Sequence, residues 1–259
     1  MTKRAGRADH SFWFEPGLPR LLAHRGLAID APENTLLAFL KALALGATYL
    51  ETDVRSTRDG VAIICHDPDL IRVAKRNVKV SDLTLTELRA IDLGEGQTFC
   101  TLAEVLEAFP EVRLNIDVKS LDAARPAAAA ILKAGATKRV LITSFNEKRR
   151  RETVRLLPGV ASSAAPHSIL LAVIGVHLRF AALVRFAVRN VDVIQAPIRG
   201  AGIRIASRRF IAKMHALGLE VHIFTINDAP TMKRLLDLGV DGLFTDRVDV
   251  AITLTGTAS

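Results

Sequence analysis

A chain of 259 residues, 49% hydrophobic and 24% charged, is long enough for one extensive core and too mixed in composition for a collagen, a coiled coil or a wholly disordered protein. Two cysteines, Cys65 and Cys100, are too few for a disulfide framework or a thiolate zinc site, so a reducing interior is the expected compartment. The net charge of +8 points to anionic partners, and the lack of basic runs interleaved with aromatics sets nucleic acid aside in favour of phosphate esters or an acidic membrane surface.

Residues 1–20 begin with basic side chains but hold no apolar stretch of the about 7–15 residues that a secretory signal needs. They read as an N-terminal arm on a cytoplasmic protein, ahead of a single domain over 21–259. From Leu21 onward, short β-branched runs alternate with longer helical patterns, the signature of parallel strands joined by crossover helices. The runs at 21–24, 49–54, 61–66, 113–118, 140–145, 160–164, 193–196, 221–226 and 242–245 make nine candidates for the eight places of a (β/α)8 TIM barrel. Only 55–60 separates the second run from the third, too short for a crossover helix, and Asp59-Gly60 is a turn signal. The expectation is a somewhat distorted α/β barrel in which one connection lacks its helix, or one weak run such as 160–164 is not a full strand.

An insertion over about 67–100 follows the third run and fits no βα unit. In it Thr84-x-x-Glu87 forms a capping box for a short helix, and the segment is either a cover for the catalytic face or a plain surface loop. The basic run 148–151 reads as solvated charge on a helix. Residues 169–188 predict one amphipathic helix, with Ile169, Val173, Val176, Phe180, Leu183, Val184 and Ala187 on one face and His177, Arg179, Arg185 and Arg189 on the other. It packs on the sheet or touches an anionic membrane, but it is not expected to span one, since a central Arg costs roughly 2.5–3.5 kcal/mol on insertion.

The chemistry sits on the strands. With a period of two, Glu51 and Asp53 share one face of their strand, and if that face is the barrel interior, both stay ionised only with a cation between them. Oxygen ligands suit Mg2+, Ca2+ or Mn2+; the alternative is an edge strand whose polar face meets water. The fourth candidate strand turns Asn115, Asp117 and Lys119 inward, so that Asp117 can complete a metal site and Lys119 can hold a phosphate oxygen, unless the two are simply an ion pair. His24 and His66 end two strands, where barrels place their catalytic groups, and two imidazoles across a phosphodiester can provide base and acid. Lys119 at a strand end also admits a Schiff-base lyase as a rival. Cys65, one residue before His66, faces away from the site and packs.

His24-Arg25-Gly26, Pro32-Glu33-Asn34-Thr35, Glu51-x-Asp53, Asp59-Gly60 and His66-Asp67 resemble, in order and spacing, the signature of the glycerophosphodiester phosphodiesterase family. The resemblance continues through SDLTLTEL, Thr101-Leu102-x-Glu104, Asn115-x-Asp117-x-Lys119, Ser144-Phe145, Thr225-x-Asn227, Gly239-Val240-Asp241-Gly242 and Thr245-Asp246. It implies a TIM barrel and metal-dependent hydrolysis of glycerophosphodiesters to sn-glycerol 3-phosphate and an alcohol. By the same resemblance His24 and His66 match the general acid/base pair, Glu51 and Asp53 match metal ligands, and Arg25 and Lys119 match phosphate contacts. Asp117 stands where the family usually has a Glu ligand, one methylene longer. Phe224 stands where Trp is frequent and keeps a wall to the substrate pocket, and 71–75 departs from the usual continuation after His66-Asp67. Activity on lysophospholipids, or a catalytically silent barrel that binds phospholipid headgroups, are the alternatives.

Overall fold

The computed structural model describes residues 11–15, 17–200 and 202–256. Eight parallel strands, β1 (Arg20–His24), β2 (Tyr49–Ser56), β3 (Arg113–Val118), β4 (Val140–Thr143), β5 (Ala161–Ser162), β6 (Val193–Ala196), β7 (Glu220–Ile223) and β8 (Gly242–Thr245), lie in the order β5-β4-β3-β2-β1-β8-β7-β6. A bridge between Ser163 and Val193, with Asp192 N donating to Ser162 O at 2.8 Å and Ala164 N to Val193 O at 3.0 Å, brings the two ends of the sheet together as a nearly closed barrel.

Alternation along each strand sorts the side chains as the sequence predicts. Leu50, Val54, Leu114, Ile116, Val118, Val140, Ile142 and Ile194 join the outer core beneath the helices, while Leu22, Tyr49, Leu141, Val193 and Phe244 fill the interior. Trp13, fully buried, packs with that inner set, and its carbonyl accepts from Tyr49 Oη at 2.6 Å. The final part of the segment read as an arm is therefore the plug of the barrel's N-terminal end, and residues 1–10 lie outside the described residues.

Of the two suspect runs, the third is the irregular one. Ala62–Ile64 returns antiparallel against the end of β2, pairing Val54 with Ile64, because the turn at Asp59-Gly60 leaves no length for a crossover. The other suspect, 160–164, supplies β5, two residues long but a true barrel member. The insertion folds around its own apolar cluster of Ile63, Cys65, Leu70, Val80, Leu88, Ile91 and Phe99, which gives Cys65 the packing role expected of it. Its capping box forms, with Glu87 N donating to Thr84 Oγ1 at 3.3 Å and Thr84 N to Glu87 Oε2 at 2.7 Å.

Two readings need correction. Residues 169–188 are not one helix but two, Pro166–His177 and Ala181–Ala187. Arg179 takes a left-handed φ of 57°, Phe180 N donates back to Gly175 O at 2.8 Å and Arg179 N to Val176 O at 3.4 Å, a closed helix end that stops the first segment. The second then packs so tightly on the first that a Cβ on Gly175 would lie 2.7 Å from Val184 Cγ2, and Phe180, assigned to the apolar face, is left 55% exposed. In the basic run, Arg150 is not solvated: it is 4% exposed and donates to both Glu147 carboxylate oxygens, at 2.7 and 2.8 Å, and to Ser162 Oγ at 3.1 Å. Among the described residues no helix is long and apolar enough to cross a membrane.

Candidate active site

The outward packing of Leu50, Val54, Leu114, Ile116 and Val118 turns Glu51, Asp53, Asn115 and Asp117 into the barrel. Parallel register then sets His24 beside Glu51, Glu51 beside Asn115 and Asp53 beside Asp117. Immediately after β1 the chain bends sharply: Arg25 has φ 59° and Gly26 φ 84°, and a Cβ on Gly26 would fall 2.6 Å from the carbonyl carbon of Ala38. This bend aims the Arg25 backbone N–H at Glu51 Oε2, 3.2 Å away, and its guanidinium at Asp53 Oδ2 (3.2 Å) and Glu33 Oε1 (3.0 Å).

Asp53 is gripped from three sides. Besides Arg25, Asn34 Nδ2 donates to its Oδ2 at 3.0 Å, and Lys119 Nζ lies 2.9 Å from its Oδ1. Thr52 Oγ1 in turn fixes the Asn34 amide, donating to Oδ1 at 2.8 Å. Burial alone would raise the Asp53 pKa, but Lys119 and Arg25 hold it below the ordinary carboxylate range. Lys119 also donates to Asp117 Oδ2 at 2.6 Å, and although burial opposes its charge, the two aspartates push its pKa up. A Schiff-base lysine needs the opposite shift, so the lyase reading fails on this geometry.

Glu51 and Asp117 are less well provided. Burial, reinforced by the neighbouring Asp53 charge, pushes Glu51 up to about 8, and burial raises Asp117 despite its contact with Lys119. Asp117 Oδ1 and Asn115 Nδ2 are buried without a hydrogen-bond partner, although Asn115 Oδ1 accepts from Gln195 Nε2 at 2.7 Å. His24 Nε2 stands 3.8 Å from Glu51 Oε2, and its Nδ1 is 2.6 Å from Asp246 Oδ1. Burial disfavours the imidazolium, but Glu51 and Asp246 outweigh it and raise the His24 pKa.

His66 does not end a barrel strand; it follows the antiparallel run Ala62–Ile64. Arg55 Nε and Nη2 donate to its carbonyl at 2.9 and 2.8 Å, and its Nδ1 meets Asp67 Oδ1 at 2.7 Å. Asp67 accepts from Arg72 Nε at 2.6 Å, Arg72 donates to both oxygens of Glu33, at 2.8 and 2.7 Å, and Glu33 accepts from Arg25. The insertion therefore does more than cover a surface: through Arg72 it ties the His66 segment to Arg25.

Phe224, the first residue after β7, stands edge-on to both Phe145 and Phe244, at 6.0 Å each, and lines a cavity of about 430 Å³ on the far side of the mouth. The structure thus joins His24, Arg25, Glu51, Asp53, Asp117 and Lys119 in direct contact, holds His66 beside them through Asp67 and Arg72, and places Phe224 in the opposite wall. Asn34, Glu33, Arg72, Gln195, Asn227 and Asp246 were given no role from the sequence. Asp246 is held by Asn227, whose Nδ2 donates to Oδ2 at 2.7 Å. Its position one residue beyond β8 was the available signal, because strand ends face the mouth.

As the side chains lie, no group of three His, Cys, Asp or Glu among the described residues is gathered as a metal cluster, and Lys119 occupies the gap between Asp53 and Asp117. The donor chemistry nevertheless fits a hard divalent cation. Three carboxylates share one wall, one Asp117 oxygen lacks a partner, and burial together with the neighbouring Asp53 charge raises Glu51 to about 8.

Residues 24–250 match the model of the glycerophosphoryl diester phosphodiesterase family. The chain is 40% identical over 231 residues to a Mycobacterium tuberculosis protein named "Probable glycerophosphodiester phosphodiesterase 2", covering 88% of each. It superimposes on the crystal structure of a glycerophosphodiester phosphodiesterase from Agrobacterium tumefaciens with a TM-score of 0.75 at 25% identity, over 92% of this chain and 100% of that one. An Oleispira antarctica phosphodiesterase solved in complex with the product sn-glycerol-3-phosphate shares the fold, with a TM-score of 0.74 at 24% identity over 92% and 97% of the two chains.

Proposed function

Because this chain belongs to the glycerophosphoryl diester phosphodiesterase family, we propose that His24 and His66 carry the proton transfers of phosphodiester hydrolysis at a mouth where Arg25 and Lys119 hold the phosphate. The chain is an enzyme that hydrolyses glycerophosphodiesters. Its products, on this reading, are sn-glycerol 3-phosphate and the headgroup alcohol.

The observation that carries the assignment is the fixing of His24. Asp246 takes Nδ1 at 2.6 Å, which leaves Nε2 as the nitrogen presented to the carboxylate-lined mouth. Its raised pKa suits His24 to protonate the departing oxygen. His66, braced through Asp67 and Arg55, then takes the proton of the attacking hydroxyl or water. Arg25 and Lys119 bring two positive charges to the same wall, where they neutralise charge on the phosphate oxygens.

Glu51, Asp53 and Asp117 would hold a divalent cation, Mg2+, Ca2+ or Mn2+, which when bound supplies a Lewis acid toward the phosphoryl oxygens. Two buried free thiols, Cys65 and Cys100, support a cytoplasmic location. Exposed Leu178, Phe180 and Phe186 beside Arg179, Arg185 and Arg189 support peripheral contact with an anionic membrane, which salt-sensitive binding to acidic vesicles would register.

The test is turnover of glycerophosphocholine before chelation, after chelation and after add-back of each cation, with His24→Ala and His66→Ala alongside. Loss and recovery in the parent with both variants silent supports the reading. Full turnover after chelation, or an active His24→Ala protein, defeats it.

A further inference from the structure

Strand register sets His24, Glu51, Asp53 and Asp117 in the barrel wall, but it does not reach His66. That histidine lies past the antiparallel run Ala62–Ile64, one residue beyond the Cys65 N–H that donates to Asp53 O at 3.0 Å. We propose that Arg72 is the positioning residue for His66: acting through Asp67, it keeps the ring with a proton on Nδ1 and a bare Nε2, the form in which an imidazole takes a proton from the attacking hydroxyl or water. This role rests on the catalytic reading of His66 given above.

The insertion delivers Arg72 by local means. Leu70 is buried in its apolar cluster, Ile71 N donates to Asp69 Oδ1 at 3.1 Å, and Lys75, at φ 57°, closes the single helical turn Ile71–Ala74 by donating from its N–H to Ile71 O at 3.1 Å. From that turn each guanidinium nitrogen points at a carboxylate: Nε at Asp67 Oδ2 (2.6 Å), Nη1 at Glu33 Oε2 (2.8 Å) and Nη2 at Glu33 Oε1 (2.7 Å). A guanidinium engaged on all three nitrogens is a bracket and not a phosphate ligand. Its far end is firm, because Glu33 Oε1 also accepts from Arg25 Nη1 at 3.0 Å, and although burial opposes the Glu33 charge, Arg72 and Arg25 hold its pKa below the ordinary carboxylate range.

Asp67 transmits the hold. Burial opposes its charge, but His66 and Arg72 keep its pKa below the ordinary carboxylate range, so at neutral pH it is ionised and only accepts. His66 Nδ1, 2.7 Å from Oδ1, is then the donor, and Nε2 keeps its lone pair. Arg72 on the other oxygen fixes the plane of the carboxylate and with it the direction in which Oδ1 faces the ring. Without Arg72 that plane turns, and the ring is free to move its proton to Nε2. The Arg72 side chain is 49% exposed, so its ion pairs contribute little to folding and its effect is one of direction.

The experiment measures kcat and KM for glycerophosphocholine in Arg72→Gln, Asp67→Asn, the two combined, and Arg72→Lys, with the His66 tautomer read from long-range proton–nitrogen correlation spectra. Arg72→Gln should lower kcat on the order of tenfold, move KM by at most about threefold and leave the melting temperature near the parent's, while an Nε2–H signal grows in at His66. Arg72→Lys keeps the charge but lacks the second arm, so it recovers part of kcat, and it carries the comparison should Arg72→Gln melt early. Adding Arg72→Gln to Asp67→Asn should lower kcat no further, because the first residue acts through the second. Losses that multiply in the double variant, or a parent-like kcat in Arg72→Gln while His66→Ala is silent, overturn the positioning. If His66→Ala turns over like the parent, the catalytic reading fails instead, and the spectra alone decide the hold on His66: a growing Nε2–H signal in Arg72→Gln supports it, and an unchanged ring overturns it.

Discussion

Replacing Asp246 with Asn isolates what one carboxylate contributes to an imidazole it touches. Asp246 Oδ1 stands 2.6 Å from His24 Nδ1, Oδ2 accepts from Asn227 Nδ2 at 2.7 Å, and the Asp246 backbone N–H donates to Asn227 Oδ1 at 2.9 Å. Asparagine has the same shape, so the change removes a charge and introduces an N–H2 group. Because Asn227 already donates to one arm, the new amide satisfies it only by presenting its oxygen there and its N–H2 to His24. A donor facing Nδ1 requires that nitrogen to be unprotonated, which disfavours the imidazolium and moves the ring's proton to Nε2.

A hydrogen bond to a charged group contributes about 1.5–3 kcal/mol. The Asp246 side chain is 49% exposed, and solvent screening reduces the term to about 1–2 kcal/mol, or about 5- to 30-fold in kcat/KM. The pH profile gives a second, independent signature. With His24 as the proposed acid, activity is expected to fall as pH rises through its pKa, and removing one of the two carboxylates that raise that pKa shifts the basic limb to lower pH. The assay is kcat/KM for glycerophosphocholine across pH, with thermal melting to show that the fold is intact. Activity within twofold of the parent with an unmoved basic limb refutes the role given to Asp246 and weakens that of His24.

Elsewhere in the barrel, Glu220 accepts from Arg20 Nε and Nη2 at 2.6 Å each; burial opposes its charge, but Arg20 and His222 bring it down to about 2. Its contribution of about 3 kcal/mol is complete above the ordinary carboxylate pKa and is lost as pH falls toward about 2, so urea midpoints of Glu220→Gln should lie well below the parent at pH 7 and converge on it in acid. Gly26→Ala places a Cβ 2.6 Å from the Ala38 backbone at φ 84°, so both melting temperature and kcat/KM should fall, the latter because Arg25 leaves Glu51 and Asp53; an unaltered kcat/KM contradicts the positioning. Trp13→Ala empties the barrel floor and should cost about 3–5 kcal/mol in chemical denaturation, with the KM for substrate at the opposite end nearly unchanged.

Much of this architecture is legible because β-strand alternation is a local code. Leu50, Thr52 and Val54 against Glu51 and Asp53 already say which side chains face in, and the run 113–118 repeats the message. Where a decision depends on packing, the code runs out. The reversal of Ala62–Ile64 shows in the sequence only as too short a connection, and its antiparallel pairing comes from hydrogen bonds with β2 that no single strand announces. The break at Arg179 is hidden because an arginine takes the left-handed place that glycine would have signalled, while the apolar period runs on through it. Arg150 reads as one more charge in a basic run until Glu147 and Ser162 enclose it.

The site divides in the same way. Residues whose direction follows from their own strand were placed from the sequence: His24, Glu51, Asp53, Asp117 and Lys119 are fixed in direction by the alternation that buries their neighbours. Residues that act by reaching across the chain were not. Asp246 meets His24 over a separation of 222 residues, and Arg72 meets Glu33 over 39, distances at which spacing carries no geometric information. Their partners explain why the bare inventory of acids and bases was not enough. Glu51 and Asp53 are two residues apart on one face of one strand, yet one is raised to about 8 and the other held below the ordinary range, because Lys119, Arg25 and Asn34 all converge on Asp53 while Glu51 receives one backbone N–H from Arg25 and a histidine 3.8 Å away. Alternation brought both carboxylates inward, and the long-range contacts then made them chemically different.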